Sequence, residues 1–274
     1  MKILAALLVL LVIGLIGGGA FLLLSNPDFL AEEPPAESSS ASKSTVQAAI
    51  DVKKQAADFT EIQELLEYEI LQNPDTAAWL KIEGTDINNS VLQSFDNVDY
   101  LRKNERRQYD VYGCYFADYE CSIGKRDVLS QNTIIYGHND VTDDPDGRRF
   151  AQLYKFLDPE FAAATPCIQF CTMDDPMLWQ VFAVFYTHTY FNYTDVNITD
   201  EEKMAIVNTA LEHSIYDYNV PVEATDKLLT LSTCTTLFGD DNHRFVVMAK
   251  LLPDEEMPET PLDLVERPEN RYQE

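Results

Sequence analysis

Thr230-Leu231-Ser232-Thr233-Cys234, followed ten positions after the cysteine (244 − 234) by Arg244-Phe245-Val246-Val247, is the stretch on which the reading of this chain turns. Its β-branched and apolar composition predicts two neighbouring strands with a thiol and a guanidinium at their facing ends. Upstream, Asn132-Thr133-Ile134-Ile135-Tyr136-Gly137-His138-Asn139 delivers an imidazole to a strand end punctuated by glycine. Taken alone, Cys234 reads as a small buried hydrophobe, the usual fate of a strand cysteine. Together, thiol, imidazole and guanidinium are the parts of a cysteine acyl-transfer site. Such a site needs a nucleophile, a proton carrier for the leaving amine, and a fixed positive group for the tetrahedral oxyanion.

Further β signals lie outward from this core. Trp79-Leu80-Lys81-Ile82 and Ser90-Val91-Leu92-Gln93 flank a turn at Glu83-Gly84-Thr85-Asp86, and Tyr112 to Phe116, Cys167 to Thr172 and Trp179 to Thr187 read as strands. With Thr133 to Tyr136, Lys227 to Ser232 and Phe245 to Leu251, they predict a mainly β fold, a closed or nearly closed barrel. Helical spacing of Phe59, Ile62, Leu65, Leu66 and Ile70 predicts an amphipathic helix ending near Asn73-Pro74 and packed on the outside. Thr199 with Glu202 has the form of a capping box, followed by an apolar stripe at Met204, Val207, Leu211 and Ile215. A shorter helix is expected over Arg149 to Phe156. The acidic loop Asp143-Asp144-Pro145-Asp146-Gly147 before it reads as a solvated turn, because it lacks the alternating ligands of a calcium loop.

The ends of the chain are of a different character. Ile3 to Leu24 is an uninterrupted apolar and glycine run behind Lys2, and as a helix it would rise about 33 Å, enough to cross a hydrocarbon core. An uncleaved anchor over 1–24 is expected rather than a signal peptide, whose apolar region is shorter. Lysine before the run and acidic residues after it predict a cytoplasmic amino end and an extracellular remainder. Residues 25–45, with Pro34-Pro35 and a serine-rich run, read as a tether. Residues 253–274 carry eight acidic and two basic side chains with four prolines, and read as an acidic tail lying loosely on the surface. A net charge of −26 argues against nucleic acid as a partner. The five cysteines are an odd number, so at least one is unpaired. Cys114 with Cys121, or Cys167 with Cys171, are candidate disulfides that spacing does not decide. Their spacings do not suit a zinc site, and neither metal nor cofactor is expected.

Thr-Leu-Ser-Thr-Cys ahead of Arg-Phe-Val-Val, with Tyr-Gly-His-Asn upstream, resembles the sortases, the membrane-anchored cysteine transpeptidases of Gram-positive bacteria. The resemblance runs from about Trp79 to Leu251. The amino-terminal helix and the long helix before the late strands look most like class B. It implies an eight-stranded sortase-type barrel, with a catalytic domain over 46–252, and Cys234 as nucleophile, His138 as general acid and then base, and Arg244 as carbonyl clamp. Ser232 is implied as a residue shaping the substrate groove. Asn89-Ser90 stands where many relatives carry Tyr-Pro, and Thr235 follows the cysteine where class B members often have an acidic residue. His188 and His213 lie outside any motif and read as surface or packing residues. His243 has the same reading, although its place beside Arg244 would let it tune the site. The implied reaction cleaves a Thr-Gly bond in the sorting signal of a surface protein through a thioester and passes the acyl group to an amine, such as a lipid-linked peptidoglycan precursor. A pilus-polymerising sortase, a hydrolytic cysteine peptidase and a non-catalytic surface module are the rival readings.

Overall fold

In the computed structural model, the described residues are 59–272, apart from 141, 255, 256 and 259. The expected anchor over 1–24 and tether over 25–45 lie outside them. Among the described residues no helix is long and apolar enough to cross a membrane.

Among the described residues there are ten strands: β1 (Thr76–Lys81), β2 (Asn88–Leu92), β3 (Tyr115–Ala117), β4 (Asn132–Tyr136), β5 (Cys167–Cys171), β6 (Leu178–His188), β7 (Tyr216–Asp217), β8 (Leu228–Cys234), β9 (His243–Leu251) and β10 (Val265–Glu266). Eight follow the predicted order with small shifts, and the short β7 and β10 were not expected. Those eight close into a mixed barrel in the order β1-β2-β3-β4-β8-β9-β6-β5. Only β2 with β3 and β4 with β8 run parallel. The two strands that carry the motif lie side by side near the middle of this order. In β8 every residue from Leu228 to Thr233 is buried, and Cys234 alone is exposed. Such a continuous buried run marks a strand covered on both faces. Aromatic side chains fill much of the interior, with Trp179, Phe182, Phe185 and Phe245 buried completely. Truncating any one of them to alanine would cost about 3–5 kcal/mol.

Outside the barrel, α1 over 59–72 lays Ile62 and Leu66 on Trp79 and Cys171, as its periodicity predicts. The acidic loop leads into a 3-10 helix over Arg149–Leu157, and then α2 (Pro159–Ala164) is capped by the Asp158 carboxylate. α3 (Asp200–His213) starts at the capping box, where the Thr199 hydroxyl accepts from Glu202 N and Glu202 accepts from Thr199 N. Its buried face contains the predicted Val207, leads to a buried Ile215, and is broader than the predicted stripe. Lys203, Ile206, Val207 and Ala210 face the barrel, while Met204 and Leu211 flank them half-buried. The Lys203 ammonium is satisfied by Gln131 Oε1 at 2.8 Å and the Asp226 carbonyl at 2.9 Å. A lysine therefore sits on the inner face because two of its donors find oxygens there and the Asp200 carboxylate lies 3.6 Å away.

The acidic terminus is tied down rather than loose. β10 pairs with β7, Arg267 Nη1 donates to the Leu211 carbonyl at 2.6 Å, and Asn270 Nδ2 donates to the carbonyls of Glu212 and Ser214. These are carbonyls at the carboxyl end of α3, which have no partner within the helix. All five cysteines are unpaired. Cys167 and Cys171 lie four residues apart on one strand, about 13 Å, beyond disulfide reach. Cys114 and Cys121 belong to separate apolar clusters. Burial pushes the Cys121 and Cys167 thiols up to about 12, which keeps them protonated and inert.

Candidate active site

Two ladders bring the motif residues to one end of the barrel. In the antiparallel ladder of β8 and β9, Cys234 and Arg244 are directly opposed, so both side chains leave the sheet on the same face. In the parallel ladder of β4 and β8, Tyr136 pairs with Ser232, and Gly137 N continues it to the Ser232 carbonyl. His138 and Cys234 each follow that last pair by two residues. The Thr233 hydroxyl donates to the Gly137 carbonyl at 2.8 Å and fixes this junction from below. A methyl group on Gly137 would come within 2.7 Å of the Phe150 ring and 2.9 Å of Tyr115, so the approach requires glycine.

The His138 ring is half-buried and its Nε2 lies 2.7 Å from the Leu101 carbonyl. A carbonyl only accepts, so Nε2 carries the hydrogen and the neutral ring keeps its lone pair on Nδ1. Burial lowers the imidazole pKa below its ordinary value, the Leu101 bond opposes this, and the charges of Arg102 and Arg149 add to the lowering. Arg244 is half-buried, and its Nη1 donates to the carbonyls of Asp241 at 2.8 Å and His243 at 2.9 Å. One nitrogen of the guanidinium is thus held by its own loop. Cys234 stands exposed at the strand end.

A sortase domain model matches residues 80–252. The chain belongs to the sortase family. Sortase B of Listeria monocytogenes is 36% identical over 183 residues, covering 66% of this chain and 71% of that protein. Sortase B of Staphylococcus aureus is 28% identical, covering 76% and 88%. The solved Staphylococcus aureus sortase B–substrate complex superposes with a TM-score of 0.63 at 26% identity, covering 79% of this chain and all of that one. The closed eight-stranded barrel with α1 and α3 is the class B architecture, and this sortase is of class B.

Other polar residues around these strand ends are buried behind the strands or bond the segment after Cys234. Ser232, expected in the groove, is buried, and its hydroxyl meets the Tyr193 hydroxyl at 2.8 Å. His243 is buried as well. Its Nδ1 donates to Asp240 at 2.8 Å, and its ring stacks on Phe238 with centroids 4.4 Å apart, so it braces the loop between β8 and β9. His188 stacks on Tyr190 and meets the edge of His243, and His213 ends α3 away from the motif strands. Asn139, Asp143 and Tyr154 all bond the segment that begins at Cys234, a role that a reading by motif missed. The acidic loop is therefore not wholly solvated. Among the described residues no cluster of three or more His, Cys, Asp or Glu side chains is disposed to hold a metal ion.

Proposed function

We propose that this sortase acts with Cys234 as nucleophile, His138 as proton carrier and Arg244 as oxyanion clamp, on a sorting signal cleaved at a Thr-Gly-type bond. The observation that carries this reading is the arrangement at the strand ends: Cys234 is opposite Arg244 on one ladder, and His138 follows the last pair of the neighbouring ladder, Tyr136 with Ser232, by two residues, as Cys234 does. As the Cys234 Sγ attacks the scissile carbonyl carbon, its proton passes to His138 Nδ1, and the carbonyl oxygen takes the negative charge beside the Arg244 guanidinium. His138 then gives a proton to the leaving nitrogen as the carbon–nitrogen bond breaks, leaving a thioester. An incoming amine attacks the same carbon, His138 takes its proton, and the thiol leaves as a new amide forms. A neutral ring with Nδ1 free and Nε2 tethered suits a group that gives and takes one proton at one position. Ser232 and Tyr193 form the wall behind the acyl chain.

The apolar run over 1–24 supports a single-pass anchor with the catalytic domain outside the cell, which would place the site near lipid-linked wall precursors. The experiment is transfer. The soluble domain is incubated with sorting-signal peptides and an amine, and the product is read by mass spectrometry. An amide-linked product with wild-type protein and none with Cys234→Ala supports the transpeptidase. Cleavage to the free acid at every amine concentration would instead favour a hydrolytic peptidase.

A further inference from the structure

Asp143 lies in the acidic loop with a left-handed backbone, φ 52, and is half-buried where its neighbours Asp144 and Asp146 are exposed. Its carboxylate crosses to the segment after Cys234. It accepts from the Thr235 hydroxyl at 2.9 Å and from the Thr236 backbone N–H at 3.0 Å, and also from Asn139 Nδ2. That same Asn139 nitrogen donates to the Cys234 carbonyl at 3.0 Å, where the Tyr154 hydroxyl also donates at 3.2 Å. Asn139 follows His138 directly. The segments that bear the imidazole and the thiol, more than ninety residues apart in sequence, are thus joined through one carboxylate and one amide.

We infer that Asp143 is a positioning residue for the acyl transfer, holding the Cys234–Thr236 turn against the His138–Asn139 segment. A carboxylate suits this place because three donors converge on it and it carries only acceptors. Bonds to an ionised acceptor are also stronger than neutral ones. Beyond the strap, Gly239 N turns back onto the Thr236 carbonyl, and the same loop ends at Asp241 and His243, the carbonyls that hold Arg244. Fixing Thr236 therefore fixes the start of the loop whose far end orients the guanidinium. Asp143→Asn keeps the size but sets an NH₂ group against N–H and O–H donors, so the strap opens without a cavity.

This inference rests on the proposed role of Cys234, and the test separates the two. The rate of Cys234 alkylation by iodoacetamide at pH 7.5 is measured alongside kcat and KM for transpeptidation, in the wild type and in Asp143→Asn, Thr235→Val and the double variant. Removing a nearby carboxylate by charge alone favours thiolate and speeds alkylation. Losing the placement of Cys234 beside Arg244 slows it. We expect alkylation at least about 3-fold slower and kcat about 10- to 100-fold lower in Asp143→Asn, the loss expected for charge-assisted bonds, with KM within 2-fold. Thr235→Val should lower kcat less, and the double variant should be no worse than Asp143→Asn. Faster alkylation, a defect confined to KM, or additive losses would overturn the positioning role. If the wild type alkylates but transfers nothing, the transpeptidase reading fails, and the sign of the alkylation change still decides the role of Asp143.

Discussion

Cys234 and Arg244 are opposed as the terminal pair of the β8–β9 ladder, and Arg244 is at the same time opposed to Thr187 of β6. Backbone ladders on both sides of β9 therefore fix the base of the guanidinium, and carbonyls of Asp241 and His243 fix one of its nitrogens. In the proposed reaction this is preorganisation: the Arg244 guanidinium would be aimed before charge develops on the substrate, so little reorganisation would be needed.

Arg244→Ala should lower kcat about 10²- to 10³-fold, the usual loss for one oxyanion donor. Arg244→Lys should recover little of it, because an ammonium cannot hold two carbonyls and still present a planar donor pair. Steady-state kinetics beside a melting curve checks this. A wild-type rate in Arg244→Lys would assign the arginine to the fold alone.

The acid limb of kcat/KM against pH should fall below the ordinary imidazole range near 6.5. Burial and the charges of Arg102 and Arg149 make the His138 imidazolium harder to form, so the ring gives up its proton at lower pH than a free histidine. Arg102→Gln removes one of those like charges at an exposed position and should move the limb back toward higher pH. Because Arg102 is exposed, added salt should move it in the same direction. A limb that stays in place in this variant would contradict the electrostatic account.

Gly137→Ala should damage activity more than stability. The added methyl meets the Phe150 ring, so either the ring or the strand end must shift, at a cost of about 1–3 kcal/mol. His138 is the next residue and moves with that strand end. We expect a native-like circular dichroism spectrum, a modest fall in Tm and a loss of most transpeptidation. Full activity would show that the ring yields instead.

Asn270→Ala leaves the Glu212 and Ser214 carbonyls at the end of α3 without their donor, and should cost about 1–3 kcal/mol. For a domain of this size that is a fall in Tm of about 2–12 °C. The site at the other strands should keep its kcat. Differential scanning calorimetry would detect the change, and an unaltered Tm would mean the terminus adds nothing to the fold.

The parts of this account that were legible in the sequence are those written as patterns. Apolar runs ending at Cys234 and beginning at Arg244 mark the two strands, and Tyr136-Gly137-His138 marks the third strand end. Phe59, Ile62 and Leu66 show α1 by spacing. What escaped depends on single long-range bonds that leave no period. Lys203 reads as a solvent-facing lysine until Gln131, 72 residues away, supplies its oxygen. The terminus reads as loose because its composition is acidic, whereas Arg267 and Asn270 hold it through backbone carbonyls. Asp143 looks like any other acid of its loop, because its partners Thr235 and Thr236 are more than ninety residues distant. The partner of Ser232, the Tyr193 hydroxyl, is 39 residues away and no motif pairs the two.

The central claim is that Cys234 becomes acylated. Intact-protein mass spectrometry of the soluble domain with a sorting-signal peptide and no added amine tests it most directly. The account predicts a mass increase equal to the acyl fragment up to the threonine, mapped to Cys234, absent in Cys234→Ala and released by hydroxylamine. Peptide cleavage by Cys234→Ala at the wild-type rate, or an adduct on any other residue, would contradict it.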